Sequence, residues 1–463
     1  MMRAPKSLDR PHRLRAGAAL AAILVAALPV TAQARPAPSA APSLSFFQAE
    51  LLKPGNADLR RFYFYRANRP LWVADGALSP AALELGELIA SAEVDGIRPE
   101  DVHAAALEQA LGRARAEGTG EALEAAELAL SRSFADYVRL TLATPEGGML
   151  YEHVSLQPQV PEVATALQKA AASPSLADYV HTMGWMHPLY APLRRAVAQA
   201  GAQDAATAQV YRTNLARIRA LPAVPPGGRY VLVNAAAARL WMYEGATPVD
   251  SMKVVVGRLD HQTPIMSGYI RYAIVNPYWN IPADFTRDRI APRVLAQGLP
   301  YLRRGGYQVM SDWSQDAAVV DPATVDWRAV AAGDVNLRVR QLPGSANSMG
   351  KVKFEFPNAL GIYLHDTPET QLMAKDARQF SSGCVRLEDA QRLGRWLFNG
   401  AMPSGEEVEQ RFDLPAVVPV YVTYLTVQPG SDGHIAMLGD PYGRDRASAP
   451  AVALKDGPAL TSR

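Results

Sequence analysis

The 463-residue sequence contains a single cysteine, Cys384, and eight histidines. A disulfide needs two thiols, so none can form within this chain. An unpaired thiol is either a buried apolar group or a reactive one, and composition alone leaves both interpretations open. The sequence has no Cys-x-x-Cys or His-x-x-x-His spacing, so zinc-type metal binding is a poor account of it. It also lacks a Gly-x-Ser-x-Gly elbow, which disfavours a serine hydrolase.

A strong charge excess is also absent. Five of the 47 basic and one of the 45 acidic residues lie in residues 1–34, so 42 basic and 44 acidic residues follow that segment. Proteins that bind nucleic acid usually carry a clustered basic surplus that neutralises phosphates. The balance therefore excludes nucleic acid as an expected partner.

Long apolar runs are missing after the first 34 residues. The start combines basic residues between Arg3 and Arg15, a short apolar run over Gly17–Leu28 and small residues at Ala32–Ala34. This layout predicts a secretion signal over residues 1–34 and an exported, periplasmic protein. Retention of the segment as an anchor, which would place the protein close to the inner membrane, remains the alternative.

The remaining chain predicts an α+β protein. Apolar residues at helical spacing predict a helical scaffold domain over residues 45–222, after a linker at 35–44. Short β-branched and aromatic segments predict a β-rich domain, with a mixed or antiparallel sheet, over 229–428. The strand pattern fades across 284–350, which predicts either a functional insertion or a solvated excursion. Residues 429–463 are predicted to form a tail.

The candidate chemistry lies in two short windows, one around His365 and one around Cys384. If Ile362–His365 is a strand, alternation turns Ile362 toward the core and His365 toward a cleft. The same alternation after Cys384 places Cys384 and Arg386 together on the open face. Of the histidines, only His365 is close to Cys384 in sequence and at a predicted strand end.

A free thiol titrates near pH ~8.5, so a thiol nucleophile needs a base or a nearby cation at neutral pH. His365 could supply the base and Arg386 the cation. The small residues before Cys384 would let backbone N–H groups, including that of Gly383, approach a developing oxyanion. Spacing alone does not prove this pairing.

These windows resemble the L,D-transpeptidases, whose signature is a histidine followed by Ser-His-Gly-Cys-Val/Ile-Arg. Further similarity to the large multidomain Gram-negative members runs through these segments: Pro70–Trp72, His187–Tyr190, Val254–Gly257, Gln262–Pro264, Asn276–Asn280, Val352–Asn358, His365–Pro368 and Tyr442–Asp445. One position departs from the signature, because Ser382 stands where the second histidine is usual. A peptidoglycan-binding module between His187 and Tyr230 is also missing.

The resemblance implies a catalytic domain with a capping subdomain at 284–350. It implies Cys384 as nucleophile, His365 as base, the Asp366 main-chain carbonyl as the group that orients the imidazole, and backbone N–H groups near Gly383 and Cys384 as the oxyanion hole. The candidate substrate contacts are Arg386, Tyr363, Ser382 and Trp279. The resemblance implies no metal and no organic cofactor.

The partners that it implies are peptidoglycan tetrapeptide stems, as acyl donor and acceptor, and carbapenem β-lactams as covalent inhibitors. The expected reaction joins two meso-diaminopimelate residues through a thioester on the enzyme. Three alternatives stay open: an L,D-carboxypeptidase, a ligase that attaches a lipoprotein to peptidoglycan, and a non-catalytic scaffold that binds the cell wall.

Overall fold

The computed structural model describes residues 45–143, 148–200, 205–224, 227–430 and 434–445. The chain divides into two units, Met1–Leu44 and Ser45–Arg463. The predicted secretion signal and linker lie outside the described residues. Within the described ranges, no helix combines the length and apolar character needed to cross a membrane.

The first half of the described chain is helical. Its α-helices are α1 (Phe46–Leu51), α2 (Ala57–Tyr65), α3 (Pro80–Ala90), α4 (Ala104–Glu117), α5 (Gly120–Leu142), α6 (Val163–Ala171), α7 (Leu176–His181), α8 (Tyr190–Ala200) and α9 (Ala205–Ile218). Short strands accompany them: β1 (Val73–Ala74), β2 (Ala77–Leu78) and β3 (Leu150–Tyr151). Ser79 and Thr119 cap α3 and α5 by accepting hydrogen bonds from backbone N–H groups three residues later.

Helix α5 forms the centre of the helical core, with Leu130, Phe134 and Tyr137 fully buried along it. The ring of Trp72 packs on Phe134 with their centroids 5.3 Å apart. Burial of such large apolar side chains contributes roughly 1.5–3 kcal/mol each.

A buried carboxylate ties the loop that carries Trp72 to α5. Glu127 accepts hydrogen bonds from the Tyr63 hydroxyl at 2.5 Å and from the backbone N–H groups of Leu71, Trp72 and Val73 at 2.6, 2.8 and 3.0 Å. Burial raises the pKa of this carboxyl group, and the four donors offset that effect. Glu127 therefore fixes a segment that has few regular backbone hydrogen bonds of its own.

Asp95 forms a second buried anchor, which connects three parts of the helical domain. Its carboxylate accepts from the Tyr137 hydroxyl of α5 at 2.6 Å and from the Tyr190 hydroxyl of α8 at 2.8 Å. The Arg194 guanidinium, also on α8, lies 2.9 Å from the same carboxylate, and the Asp95 side chain is completely buried. Loss of Asp95 would leave a buried guanidinium without its counter-ion.

We expect Asp95→Ala to reduce the free energy of unfolding by about 3–5 kcal/mol, the usual cost of removing one partner of a buried ion pair. Urea denaturation followed by circular dichroism measures the change. Asp101→Asn is the matched control, because it breaks an exposed pair with Arg98 and should leave the free energy of unfolding nearly unchanged. A loss below about 1 kcal/mol for Asp95→Ala would contradict the anchoring role.

The second half is rich in strands. Its main strands are β4 (Arg229–Asn234), β5 (Arg239–Glu244), β6 (Thr247–Gly257), β7 (Met266–Val275), β12 (Val352–Glu355), β13 (Leu364–His365), β14 (Gln379–Ser381), β15 (Val385–Leu387) and β16 (Gln410–Thr423), with helix α14 (Ala390–Leu397) after β15. The intervening elements are β8 (Trp279–Ile281), α10 (Ala283–Phe285), α11 (Ala291–Gln297), α12 (Pro300–Arg304), β9 (Tyr307–Met310), β10 (Val319–Val320), α13 (Trp327–Ala332) and β11 (Val339–Gln341). The predicted α+β class, with helices first and strands second, is confirmed.

The main strands close into a barrel. Their order is β12-β13-β15-β6-β5-β4-β16-β7, and β7 pairs back with β12. Alternate side chains point inward, so Val254, Phe354, Leu364 and Val385 are fully buried in one core. The opposite face of the neighbouring strands β12, β13 and β15 carries the candidate site.

The segment between β8 and β12 forms a small subdomain with its own core. Its sheet has the order β10-β9-β11-β8, and Ile290, Leu302, Trp327 and Val330 pack together as buried residues. A separate apolar core favours an organised insertion over a solvated excursion. The subdomain begins with β8 at Trp279, before the predicted start at residue 284.

The sequence predicted a tail from residue 429, but the described residues between 429 and Asp445 form part of the fold. Strands β17 (Val427–Pro429) and β18 (Ile435–Met437) pair as a hairpin. Tyr442 then enters the barrel core, and its hydroxyl donates to the Gly257 carbonyl at 2.5 Å. A polar sequence concealed this packing because one aromatic side chain provides most of the burial. Residues 446–463 lie outside the described ranges.

The helical domain packs on the outside of the barrel through aromatic side chains. His187 contacts Tyr230 of β4 and Tyr243 of β5, and its Nε2 lies 3.1 Å from the Tyr230 hydroxyl. Complete burial lowers the pKa of His187 to about 3, so this ring is neutral at ordinary pH. His187 therefore belongs to the joint between the two halves.

Candidate active site

The barrel brings Cys384 and His365 onto the same face of adjacent strands. Strands β13 and β15 are parallel, with Leu364 opposite Val385 and His365 opposite Arg386. Leu364 and Val385 point into the core, so His365, Cys384 and Arg386 share the other face. Cys384 immediately precedes β15, one position before the residue opposite Leu364. The two candidate catalytic side chains are therefore diagonal neighbours.

His365 is oriented by main-chain atoms. Its Nδ1 lies 2.6 Å from the carbonyl oxygen of Asp366, so Nδ1 carries the proton and donates to that oxygen. The Asp366 carboxylate points elsewhere and accepts from the Lys351 backbone N–H at 2.8 Å. This tautomer leaves Nε2 as the basic nitrogen.

The His365 imidazole is only 4% exposed, and this burial governs its protonation. Burial, together with the positive charge of Arg386, lowers the pKa of His365 to about 3. The carbonyl groups of Asp366 and Met349 act in the opposite direction. The ring is thus a neutral base at any pH near 7.

The Cys384 thiol is protonated in the resting structure. Burial raises the pKa of Cys384 to about 11, although a backbone hydrogen bond from Tyr363 and the charge of Arg386 lower it. The thiol lies 3.6 Å from the Gly361 carbonyl oxygen, to which it donates. A neutral thiol beside a neutral imidazole requires proton transfer during the attack itself.

The turn before Cys384 is shaped by Ser381 and Gly383. Gly383 has φ +112°, a conformation that side chains with a Cβ rarely adopt, and an added Cβ would lie 3.2 Å from Ile362. The Ser381 hydroxyl donates to the Cys384 carbonyl at 2.6 Å, and Thr263 donates to the Gly383 carbonyl at 2.9 Å. These contacts hold the nucleophile at the end of the strand.

The backbone N–H groups of Gly383 and Cys384, both predicted as oxyanion donors, differ in their resting contacts. The Gly383 N–H donates to the Ser381 hydroxyl at 3.2 Å and is therefore engaged in the resting structure. The Cys384 N–H has no hydrogen-bond partner among the described residues. The latter group is the better candidate donor for an oxyanion formed by attack of the sulfur.

The predicted substrate contacts lie in different settings. Arg386 forms a hydrogen-bonded ion pair with Glu369, a partner that the sequence did not predict. Glu369 is about half exposed and can give way to a substrate carboxylate. Tyr363 is partly buried beside Cys384, and burial raises its pKa far above the usual range, so its hydroxyl remains a donor.

Ser382 and Trp279 are the other two predicted contacts. Ser382 is exposed at the turn and accepts a hydrogen bond from Arg258 at 3.3 Å. Trp279 packs against Phe285, with ring centroids 5.2 Å apart, and lies against the core of the insertion. Trp279 therefore supports the insertion, and the structure does not group it with Cys384.

Sequence reasoning missed two charged residues on the same face. Lys353 lies opposite His365 in the β12–β13 pairing, and Glu355 forms an ion pair with Lys353. The alternation in Val352–Glu355, apolar then charged, was the signal that could have revealed them. Within the described residues, no group of three or more His, Cys, Asp or Glu side chains could hold a metal ion.

The arrangement can perform acyl transfer. A thiol nucleophile, a main-chain-oriented imidazole base and a free backbone donor are the components that such chemistry requires.

Comparison with known families agrees with this class of site. Residues 228–417 match the L,D-transpeptidase catalytic domain, and residues 57–197 match the Scaffold domain. The chain therefore carries an L,D-transpeptidase catalytic domain, preceded by a Scaffold domain.

Individual relatives are similar over parts of the chain. A Haemophilus influenzae protein named "Putative L,D-transpeptidase" is 27% identical over 403 residues, which cover 84% of this chain and 78% of that protein. A solved L,D-transpeptidase from Mycobacterium smegmatis is 12% identical with a TM-score of 0.20, covering 42% of this chain and 58% of that one. A solved L,D-transpeptidase in complex with imipenem has 12% identity, a TM-score of 0.21 and the same coverages. This chain therefore spans just over half of those solved chains.

Proposed function

We propose that this protein is a cysteine-dependent L,D-transpeptidase that cross-links meso-diaminopimelate residues of peptidoglycan stem peptides. The observation that carries the proposal is the placement of Cys384 beside His365 within an L,D-transpeptidase catalytic domain. The main-chain contact from His365 to the Asp366 carbonyl supports it, because that contact leaves Nε2 basic.

In the first half-reaction, His365 Nε2 takes the thiol proton as the Cys384 sulfur attacks the carbonyl between diaminopimelate and the terminal D-alanine. The Cys384 N–H stabilises the oxyanion. The imidazolium then returns the proton to the nitrogen of the leaving D-alanine, and a thioester remains on Cys384. No metal or organic cofactor takes part in this proposal.

In the second half-reaction, the side-chain amine of a diaminopimelate on another stem attacks the thioester. His365 accepts a proton from that amine, the new amide bond forms, and the proton returns to the departing sulfur. Arg386 would bind a substrate carboxylate after displacing Glu369, and Tyr363 would donate from its hydroxyl. The expected export to the periplasm would place the enzyme beside this substrate.

Product analysis tests the proposal. The purified protein is incubated with disaccharide-tetrapeptides and the mixture is separated by liquid chromatography with mass detection. We expect free D-alanine in equal amount to dimers linked between third residues. D-alanine with tripeptide monomers only would indicate the carboxypeptidase, and coupling only to a lysine of an added lipoprotein would indicate the ligase. If no D-alanine is released with any acceptor, the proposed enzymatic activity is contradicted and the non-catalytic scaffold is favoured.

A further inference from the structure

A charged pair that the mechanism does not use lies beside the candidate catalytic residues. In strand β12, Val352 and Phe354 are fully buried in the barrel core, whereas Lys353 and Glu355 point to the opposite face. The Lys353 ammonium lies 2.9 Å from the Glu355 carboxylate, and each side chain is only 10% exposed. The desolvation of two buried charges offsets much of their mutual attraction, so stability alone is a weak explanation for this pair.

The position of the pair relates it directly to the dyad. Lys353 is the residue opposite His365 in the antiparallel pairing of β12 with β13. Its ammonium also lies 5.2 Å from the centre of the aromatic ring of Tyr363, which precedes Leu364 in the chain. Glu355 and the aromatic ring thus hold one positive charge between β12 and the strand that carries the base.

The second cation on this face is balanced in the same way. Arg386, on the other side of His365, has Glu369 as its own counter-ion. In a buried setting the effective dielectric constant is low, so each unbalanced charge would act strongly on a neighbouring thiol or imidazole. The two pairs leave little net charge beside Cys384.

We propose that the Lys353–Glu355 pair sets the reactivity of the Cys384 thiol, with Glu355 as a positioning residue that fixes and offsets the Lys353 ammonium. The functional meaning rests on the proposed thiol chemistry. With the two charges balanced, the resting thiol keeps its proton and resists oxidation in an oxidising compartment, since the thiolate is the form that oxidants attack. The thiol then becomes nucleophilic only when His365 removes the proton.

The electrostatic directions at Cys384 agree with this geometry. Lys353 lowers the pKa of Cys384 and Glu355 raises it. The titratable or charged groups that face this part of the site from the surrounding elements are Tyr363, His365, Arg386, Lys353, Glu355, Tyr272, Glu409 and Glu369. Among them, the Lys353–Glu355 pair offers two opposite charges that can be removed separately or together.

Alkylation of the thiol by iodoacetamide tests the proposal, because Cys384 is the single cysteine and the reaction needs no peptidoglycan. Rates are measured from pH 6 to 10 by intact mass. We expect Glu355→Gln to lower the thiol pKa by about one unit and Lys353→Met to raise it by about one unit. At pH 8 this corresponds to roughly threefold faster and threefold slower alkylation, because nucleophilicity falls as pKa falls.

The double variant Lys353→Met/Glu355→Met should react within about twofold of the wild type, since both charges are gone. Asp101→Asn, which removes a carboxylate from the helical domain, is the control and should leave the rate unchanged. A purely structural role would move both single variants in one direction, and that result would overturn the proposal. If Lys353→Met fails to fold, Glu355→Gln must still react faster than both the wild type and the double variant. Alkylation does not depend on cross-linking, so a protein that forms no cross-links can still show the expected differences in alkylation rate.

Discussion

Cys384→Ser is expected to abolish covalent modification by a carbapenem and to reduce cross-linking by more than about 1,000-fold. A serine hydroxyl is far less acidic than a thiol and a weaker nucleophile, and His365 is neutral with too little basicity to compensate. The site offers no second nucleophile of the same kind, because the chain has one cysteine. Intact-mass measurement of the full protein after exposure to meropenem reads the result directly.

The control for this variant is Ser382→Ala. Ser382 is exposed next to the catalytic turn, and its contact with Arg258 does not involve the thiol. The control should form the adduct within about threefold of the wild-type rate. An adduct of equal yield on Cys384→Ser would exclude Cys384 as the nucleophile. An unmodified wild type that binds no carbapenem would argue that the thiol is never activated.

His365→Gln is expected to slow acylation by about 100- to 10,000-fold at pH 7, the usual contribution of a general base. Glutamine can still donate a hydrogen bond to the Asp366 carbonyl but cannot accept the thiol proton as a base. The residual rate should rise with pH toward the thiol pKa, because hydroxide then replaces the imidazole. Stopped-flow measurement of carbapenem acylation provides the rates.

The pH dependence of acylation by the wild type is an independent test of whether His365 acts as a neutral base. Burial lowers the pKa of His365 to about 3, and the neutral ring is the active form, so the base persists as pH falls. We expect acylation to change less than about threefold between pH 7 and 5, whereas an ordinary histidine with pKa ~6.5 would lose roughly 30-fold. A tenfold fall for each pH unit below 6.5 would contradict the buried neutral base.

Asp366→Asn is the matched control for His365. The imidazole contacts the main-chain carbonyl of residue 366, whereas the Asp366 side chain accepts a hydrogen bond from the Lys351 N–H. An asparagine oxygen can accept that same hydrogen bond. Acylation within about threefold of the wild type is therefore expected, and a loss as large as that of His365→Gln would assign a direct role to the carboxylate.

Local alternation predicted most of the barrel strands around the site. The segment Ile362–His365 was expected as a strand, and β13 comprises its last two residues, Leu364–His365. The apolar side chains beside Cys384 and His365 do point inward, as the alternation required. A period of two residues is a property of the strand itself, so it is visible in a short window.

Contacts between distant segments were not predictable in this way. The engagement of the Gly383 N–H by Ser381 depends on the fold of one turn, and the pairing of Arg386 with Glu369 depends on the path of the loop after His365. Neither contact was expected from the sequence. The hairpin and Tyr442 in the predicted tail were missed for the same reason.

By itself, the sequence determined that this protein has one possible thiol nucleophile and helices before strands, and it predicted His365 as the histidine that serves the thiol. Residue type and short-range periodicity are sufficient for those conclusions. Only the tertiary structure decided that Lys353 lies opposite His365, that Glu355 offsets it, and that burial keeps both thiol and imidazole neutral. Strand order and burial are set by the packing of the whole barrel, so no local window contains them.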